Sequence, residues 1–306
     1  MKLRNLLIIA AICSCISCMA QKVEFNVASY NLRLLNDGDT KAGNGWERRY
    51  PVIAQLVQFH DFDIFGTQEG FKSQLNDLLE VMPGYAYIGS GRDDGQEAGE
   101  HSAIFYRTDY FDLIDHGDFW LSETPDTPSF GWDAVCRRIC TWGKFRHKDS
   151  GREFMFFNLH MDHVGKTARI ESAKLIKAKM DEFGTDLPTV ITGDFNVDQT
   201  HTSYATLIDG GKLNDAYSVS EFVYALNGTF NSYRTDGFST SRIDHIFVSP
   251  DISVKKYGIL TDTYRTEETV GTDNMAQNAP AEISVHSYVP RTPSDHFPVK
   301  AVVELK

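Results

Sequence analysis

The fold of this 306-residue chain can be worked out from one stretch, Pro188-Thr189-Val190-Ile191-Thr192-Gly193-Asp194-Phe195-Asn196. The apolar run from Pro188 to Thr192 predicts a buried strand that leads into Gly193 and Asp194. Residues two apart in an extended segment point to the same face, so Asp194 and Asn196 can face one pocket. The stretch therefore predicts a strand with polar functional groups at its end, where binding and catalytic residues commonly lie.

An amphipathic helix precedes this strand. Apolar residues recur there at spacings of three and four, which places them on one face of a helix. They are Ile170, Ala173, Ile176, Met180 and Phe183. Gly184 ends the predicted helix, because glycine readily adopts the backbone conformation found at helix C-termini.

Strands dominate the rest of the chain. Further helices are predicted at 47–58 and 72–81, with Pro51 tolerable only near the first turn of its helix. The polar segment 262–294 is predicted to be a long surface loop. Consecutive strands interrupted by helices favour stacked sheets covered by helices, in a single domain of residues 21–306. Strands are predicted at 23–31, 63–67, 85–89, 102–107, 111–119, 135–147, 153–161, 243–248, 254–260 and 297–304.

The N-terminal segment differs from this domain. Two basic residues precede the apolar run Leu6–Ile12, which is too short to span a membrane and is typical of a signal peptide core. Small residues follow it. We therefore predict a signal peptide at 1–20, cleaved after Ala20, and export to the periplasm or out of the cell. Two alternatives stay open, namely a lipid anchor at Cys15 or Cys18 and a buried N-terminal helix.

The composition of the chain limits its partners. The formal net charge is −12, and removal of 1–20, which holds two basic and no acidic residues, makes it −14. Tight nonspecific binding to nucleic acid uses Lys and Arg contacts to phosphates, so we do not expect it here. A nuclease is still allowed, because metal ions can supply local positive charge. The hydrophobic fraction of 42% fits a globular chain, which we expect to be a monomer with no transmembrane segment after cleavage.

Polar side chains occur where several of the predicted strands end. They are Asn31, Glu69, His160, Asp194, Asn196, Asp244, Asp295 and His296. Asn, Asp and Glu oxygens are hard ligands that suit Mg²⁺, Mn²⁺ or Ca²⁺. The chain has no His-Glu-x-x-His zinc motif, no Gly-rich phosphate loop and no Gly-x-Ser-x-Gly turn. Carboxylates and histidines without an obvious covalent nucleophile indicate hydrolysis by activated water.

Six short motifs give the chain a family resemblance. They are Ser29-Tyr30-Asn31-Leu32-Arg33, Gln68-Glu69-Gly70, Asn158-Leu159-His160-Met161-Asp162, Gly193-Asp194-Phe195-Asn196, Arg242-Ile243-Asp244-His245-Ile246 and Ser294-Asp295-His296-Phe297-Pro298-Val299. In this order they resemble the endonuclease/exonuclease/phosphatase superfamily. Trp46-x-x-Arg49 is similar to its deadenylase-like and bacterial metal-dependent hydrolase branch. The resemblance implies a four-layer αββα sandwich, with two mixed β-sheets packed face to face and helices outside.

The resemblance also implies roles for residues. It implies a divalent metal, Mg²⁺ or else Mn²⁺ or Ca²⁺, held by Glu69 with Asn31 beside it and Asp295 completing its environment. His296 would be the general base or would bind the scissile phosphate. Asp244 would orient His296.

Three further residues of the motifs would act on the substrate. Asp194 and Asn196 would position the attacking water and the phosphate, and His160 would stabilise the transition state. Outside the motifs, a second set consists of candidate substrate contacts: Arg138, Glu100 and His163. For Arg138, the sequence favours a solvated charge on a strand over a contact to the phosphate.

The predicted function is an exported, metal-dependent phosphoesterase that hydrolyses a phosphodiester or a phosphomonoester. Its substrate could be extracellular nucleic acid, a phospholipid head group, an inositol phosphate or a phosphorylated sugar. One alternative is a secreted nuclease acting on DNA or RNA. Another is a sphingomyelinase-like phospholipid phosphodiesterase, which would need an exposed aromatic hairpin, for which 217–233 is the candidate. A non-catalytic binding protein on the same scaffold would lack some of the motif residues, and none is lost.

Overall fold

The computed structural model describes residues 22–184, 186–269 and 276–306, so the predicted signal peptide at 1–20 lies outside the described residues. Two large sheets contain most of the described strands. The first sheet has the spatial order β10 (Val223–Tyr224), β12 (Ile252–Ile259), β15 (Val299–Leu305), β1 (Val23–Asn31), β2 (Ile64–Gln68), β4 (Ile104–Arg107) and β3 (Tyr85–Ile88). The second has the order β5 (Phe111–Trp120), β6 (Ile139–His147), β7 (Glu153–His160), β8 (Thr189–Asp194), β11 (Asp244–Val248) and β9 (Asn214–Asp215).

Both sheets are mixed. In the first, β1 is parallel to β2 and antiparallel to β15. In the second, β7 is parallel to β8 and antiparallel to β6. The helices are α1 (Asp37–Lys41), α2 (Trp46–Phe59), α3 (Lys72–Val81), α4 (Lys166–Gly184), α5 (Thr202–Ile208) and α6 (Ala216–Val219), and a short 3₁₀ turn spans Asp209–Gly211. No helix in the described part of the chain has the length and apolar character needed to cross a membrane.

Apolar side chains between the two sheets form the centre of the protein. Val27 of β1 and Ile64 of β2 meet Phe154 of β7 and Ile246 of β11 in one buried cluster. Successive side chains of a strand alternate between its two faces. Ala28, the neighbour of Val27, therefore belongs to a different cluster, on the outer face of the first sheet.

The helices cover the outer faces of the sheets. On the first sheet, Val57 of α2 and Leu78 of α3 are buried with Phe65 of β2. On the second, Ile176 of α4 is buried with Phe157 of β7. The order of layers is therefore helix, sheet, sheet, helix, which confirms the predicted four-layer sandwich. The boundaries of the domain stay a prediction.

Two local predictions were wrong. The strand predicted at 135–147 begins only at Ile139, because the N–H groups of Val135 and Cys136 donate to the Asp162 carboxylate and not to a strand. The segment 262–294 is not all loop, since β13 (Tyr264–Thr269) pairs with β14 (Tyr288–Arg291). This ribbon is largely exposed along its described side chains, so no apolar alternation marks it. Pro51 lies inside α2, soon after its first turn.

One buried amide joins the two sheets. The Asn158 Oδ1 of β7 accepts hydrogen bonds from Gln68 Nε2 at 2.8 Å and Thr192 Oγ1 at 3.0 Å. Its Nδ2 donates to the carbonyls of Thr67 at 2.8 Å and Ala103 at 3.0 Å. The side chain thus uses its two donors and two acceptor positions, which a fully buried amide needs to avoid a desolvation penalty.

Gly66 of β2 should be intolerant of any side chain, because a Cβ there would overlap the Asn158 amide and the Thr192 hydroxyl. We expect Gly66→Ala to lower the free energy of unfolding by about 1–3 kcal/mol, as overpacked cores do. Urea unfolding followed by circular dichroism measures this change. The control is Gly258→Ala in β12, where the nearest atom to a Cβ would be 3.5 Å away. Equal stability of the two variants would contradict this account of the join between the sheets.

Candidate active site

A cavity of about 450 Å³, here called the catalytic cavity, opens where β2, β7 and β8 end. Most of the predicted site residues line it: Glu69, Glu100, Arg138, His160, His163, Asp194, Asn196, Asp295 and His296. Asn31 and Asp244 lie behind this wall and are fully buried. The cavity thus brings together residues that are more than 220 positions apart in the chain.

His296 and Asp244 form a buried pair. The His296 Nδ1 is 2.9 Å from the Asp244 Oδ2, which leaves the Nε2 for the cavity. Burial alone would lower the pKa of His296. The charge and hydrogen bond of Asp244, helped by Asp194 and Asp295, outweigh burial and raise the pKa of His296 to about 10. In this arrangement the imidazole is protonated at neutral pH and donates from both nitrogens.

Asp194 lies between the two histidines of the cavity. Its Oδ2 is 3.5 Å from His160 Nε2 and 3.8 Å from His296 Nε2. The same oxygen accepts a hydrogen bond from Asn31 Nδ2 at 3.0 Å, and Oδ1 accepts one from the Asn196 N–H at 2.9 Å. Burial is the largest cause that raises the pKa of Asp194 to about 7. A carboxylate with such a pKa can exchange a proton near neutral pH.

His160 has the opposite electrostatic character from His296. Burial, with the charges of Arg138 and Arg92, holds the pKa of His160 well below its usual value. The imidazole is therefore neutral. Its Nε2 is 3.0 Å from Asn196 Nδ2 and can accept a hydrogen bond from that amide. The two histidines thus offer a cationic donor and a neutral ring on opposite sides of one carboxylate.

The same cavity is lined by two further carboxylates, those of Glu69 and Asp295, which are here called its acidic end. Glu69 Oε1 accepts from Asn31 Nδ2 at 3.0 Å, and Oε2 accepts from the Leu34 N–H at 3.1 Å. Asp295 Oδ2 lies 3.5 Å from Arg33 Nη1. Asn31 Oδ1 accepts from the Arg33 N–H at 2.9 Å, so the amide nitrogen of Asn31 faces the carboxylates.

The lining of the cavity includes donor atoms that could hold a divalent cation. Glu69, His160 and Asp194 each offer a ligand atom, and these atoms lie within 4.8 Å of one another. Glu69 and Asp295 also line the same cavity. Converging carboxylate oxygens are what Mg²⁺ and Mn²⁺ prefer in proteins.

The backbone is strained around this acidic end. Arg33, Glu69 and Asn196 have φ values of 59°, 65° and 49°, in the left-handed region that non-glycine residues rarely adopt. Such residues cluster at functional sites, where the surrounding structure holds them in place. All three line the catalytic cavity.

Arg138 belongs to a second, cationic wall. Its side chain is only 4% exposed, its Nη2 is 3.1 Å from His163 Nδ1, and its Nε is 3.5 Å from Asp162 Oδ2. Its Nη1 has no hydrogen-bond partner. Beside it, Arg92 Nη1 pairs with Glu100 Oε2 at 2.6 Å. Arg138 is therefore not a solvated strand charge but a buried guanidinium that lines the cavity.

Sequence reasoning missed several residues that matter here. Arg33 and Asp162 stood inside the quoted motifs but received no role. Asp162 accepts the N–H groups of Val164 and Gly165 and thereby fixes the turn after β7. Phe230 belongs to the segment 217–233, the candidate hairpin, and its ring lies 5.0 Å from that of His296. A tertiary contact, not a sequence pattern, identifies it.

Arg49 was quoted as part of a motif, and the structure shows what it does. Its fully buried guanidinium donates to four carbonyls, those of Leu32 at 2.6 Å, Asn44 at 2.8 Å, and Pro293 and Arg33 at 3.1 Å. It thereby ties the turn after β1 to the turn before β15. These two turns carry residues of the acidic end of the cavity.

Arg49→Met should lower the free energy of unfolding by about 3 kcal/mol or more, because it leaves buried carbonyls without donors. Urea unfolding measures the loss. Arg146→Met is the matched control, since Arg146 is exposed and pairs with Glu153 on the surface. That change should shift stability by no more than about 1 kcal/mol. A similar effect of both substitutions would show that Arg49 does not tie the turns together.

The chain matches known proteins over most of its length. A model of the Endonuclease/Exonuclease/phosphatase family matches residues 25–296. An endonuclease/exonuclease/phosphatase family protein from Bacteroides thetaiotaomicron has 59% identity and a TM-score of 0.86, over 94% of this chain and 99% of that one.

Two other solved structures are also similar. A mannosyl-6-phosphatase from Bacteroides thetaiotaomicron VPI-5482 has 59% identity and a TM-score of 0.83, over 91% of this chain and 99% of that one. An endonuclease/exonuclease/phosphatase from Bacteroides vulgatus has 36% identity and a TM-score of 0.78, over 93% of this chain and all (100%) of that one.

Proposed function

The chain belongs to the endonuclease/exonuclease/phosphatase family and is a phosphoric-ester hydrolase, and from this premise we propose that it is an exported, divalent-metal-dependent phosphomonoesterase acting on a sugar 6-phosphate. One observation carries the proposal. A single cavity places Asp194 between His160 and His296, is lined by the carboxylates of Glu69 and Asp295, and includes the buried guanidinium of Arg138 in its wall.

The cationic wall favours a monoester over a diester. A phosphate monoester carries about 1.5–2 negative charges at neutral pH, whereas a diester carries one. Arg138 lines the cavity, so its positive charge can offset the additional negative charge of a monoester. The similarity to a mannosyl-6-phosphatase supports a sugar as the group that carries the phosphate.

The residues of the cavity would divide the chemistry among them. The His296 imidazolium, held by Asp244, donates from its Nε2 to a phosphoryl oxygen. Asp194, with a pKa raised to about 7, accepts a proton from the attacking water as the phosphorus–oxygen bond to the sugar breaks. The departing sugar oxygen takes up a proton from water in the open cavity. Asn196 and neutral His160 position the water and the phosphate around Asp194.

The acidic end would hold the cation. We propose Glu69 and Asp295 as ligands, with Asn31 orienting the Glu69 carboxylate through its 3.0 Å hydrogen bond. Mg²⁺ is the proposed ion, with Mn²⁺ or Ca²⁺ as substitutes. When bound, the ion would offset negative charge that develops on the phosphate.

Export rests on the sequence of 1–20 alone. The basic start, apolar core and small residues before Gln21 support a signal peptide. A lipid anchor at Cys15 or Cys18 would give the same exported domain with a different attachment.

The purified enzyme should hydrolyse mannose 6-phosphate in Mg²⁺ or Mn²⁺ and should lose the activity in EDTA, because the carboxylates need a cation at their centre. His296→Ala should lower kcat by about 10²-fold or more, as loss of a positioned hydrogen-bond donor to the developing charge does. Phosphate release in a malachite green assay measures both effects. His116→Ala, an exposed histidine of β5, is the matched control and should keep full activity.

The same assay should include bis(p-nitrophenyl) phosphate, DNA, RNA and sphingomyelin as competing substrates. Preference for DNA, RNA or sphingomyelin would replace the sugar phosphatase with a nuclease or a phospholipid phosphodiesterase. Activity that survives EDTA, or that His296→Ala retains, would refute the proposed mechanism.

Arg138→Met should raise the KM for mannose 6-phosphate by about tenfold or more, because it removes a charge-assisted hydrogen bond worth about 1.5–3 kcal/mol. Its effect on bis(p-nitrophenyl) phosphate should be smaller, since a diester has one charge fewer. Steady-state kinetics on both substrates measure the difference. Arg137→Met is the neighbouring control, because Arg137 is more exposed and pairs with Asp93 outside the cavity. An equal loss on both esters would contradict the monoester assignment.

A further inference from the structure

Two more cavities continue from the catalytic cavity along one surface. Phe230 lines the catalytic cavity and also an adjoining cavity of about 330 Å³. Phe238 lines that second cavity and also a third, of about 290 Å³. The two outer cavities, between Phe230 and Arg242, are here called the aromatic groove. Sites of this size accept small-molecule groups.

The aromatic groove exposes large apolar side chains. Phe238 is 76% exposed, Leu226 69% and Phe230 46%. Single exposed apolar residues are ordinary, but an apolar patch beside a catalytic cavity indicates a binding surface. These three side chains are therefore not part of the buried core of the sandwich.

The backbone of the groove is fixed before anything binds. Asn227 Nδ2 donates to the carbonyl of Gly237 at 2.9 Å, and its Oδ1 accepts from the Ser239 N–H at 2.8 Å. The Asn231 N–H donates to the carbonyl of Asp295 at 2.8 Å, which connects the groove to the catalytic cavity. Such a surface loses little conformational entropy when it binds a ligand.

The charges of the groove favour a neutral ligand. Arg234 pairs with Asp236 at 3.1 Å, and Arg242 pairs with Asp215 at 2.8 Å. Each cation that lines the described groove is therefore matched by a carboxylate. A polynucleotide would need Lys or Arg contacts to its backbone phosphates, which these paired residues do not offer.

The chemistry that remains is aromatic faces beside amides and hydroxyls. Phe238 lies with Asn227 and Gln199, and with Ser239 and Thr240, around the outer cavity. A sugar ring matches such a surface, because its C–H face packs on an aromatic ring and its hydroxyls bond to amides. A sugar therefore matches both the aromatic rings and the polar side chains of the groove.

We propose that the aromatic groove binds the neutral sugar units that follow the phosphorylated one, so that the preferred substrate is an oligosaccharide with a terminal 6-phosphate. The inference rests on the proposed sugar 6-phosphatase activity and adds the length of the substrate to it. Phe230 contacts both the catalytic His296 and the groove, and Phe238 stacks against a sugar farther out.

The test compares mannose 6-phosphate with a mannotriose phosphorylated on O6 of its non-reducing residue. The wild-type enzyme should have a kcat/KM about tenfold higher for the trisaccharide. Phe238→Ala should lower kcat/KM for the trisaccharide by about fivefold, the size expected for one aromatic contact, and leave mannose 6-phosphate within about twofold. Phe59→Ala is the matched control, because Phe59 is 82% exposed and does not line the groove.

Each other outcome has a distinct meaning. Equal kcat/KM on the two substrates, or an equal effect of Phe238→Ala on both, would overturn the groove while leaving the sugar phosphatase intact. Failure to hydrolyse either substrate would overturn the proposed function itself. Binding to phosphatidylcholine vesicles or to a 5′-phosphorylated oligonucleotide that Phe238→Ala abolishes would assign the groove to a lipid surface or to nucleic acid, against the proposal.

Discussion

The Asn158 amide, buried between the two sheets, is the interaction on which the placement of the catalytic cavity depends. It connects backbone carbonyls of the first sheet with a side chain of the second, and its hydrogen-bonding capacity is filled. Buried polar networks of this kind fix one arrangement of a core where apolar contacts alone would allow several. Asn158 lies two residues before His160, and its partner Thr192 lies two residues before Asp194. By fixing how β7 and β8 lie against the first sheet, Asn158 therefore also positions His160 and Asp194 in the cavity.

A second constraint is the distribution of charge around the catalytic cavity. The protein has a net charge of −12, yet its cavity must receive a phosphate. Asp244 keeps a proton on His296, and Arg138 adds a buried positive charge to the wall of the cavity. The carboxylates of Glu69 and Asp295 repel one another, which is tolerable where a cation can sit among them. Local arrangement, not overall charge, therefore decides what the cavity can bind.

The sequence predicted much of the fold because its patterns reflect burial. Strands such as β1 and β8 and the helix α4 bury regular sets of apolar residues, and their positions were found within a few residues. The ribbon of β13 and β14 escaped prediction because it is largely exposed and so leaves no periodic trace. The start of β6 was placed too early because Asp162, 26 and 27 residues away, captures the N–H groups that a strand would use.

By itself the sequence determined the chemistry available to this protein: oxygen ligands and histidines, in an order that identified its family and hence its layers. Only the tertiary structure decided how these groups act. The protonation of His296 and the neutrality of His160 depend on distances between residues from different strands, which no local pattern encodes. The same is true of the aromatic groove, since the exposure of Phe238 and its continuity with the cavity arise only when the loop folds back beside β11 and β15. A sequence states which residues are present and in what order. The electrostatic interactions and the shape of the cavity depend instead on distances between residues in the folded chain.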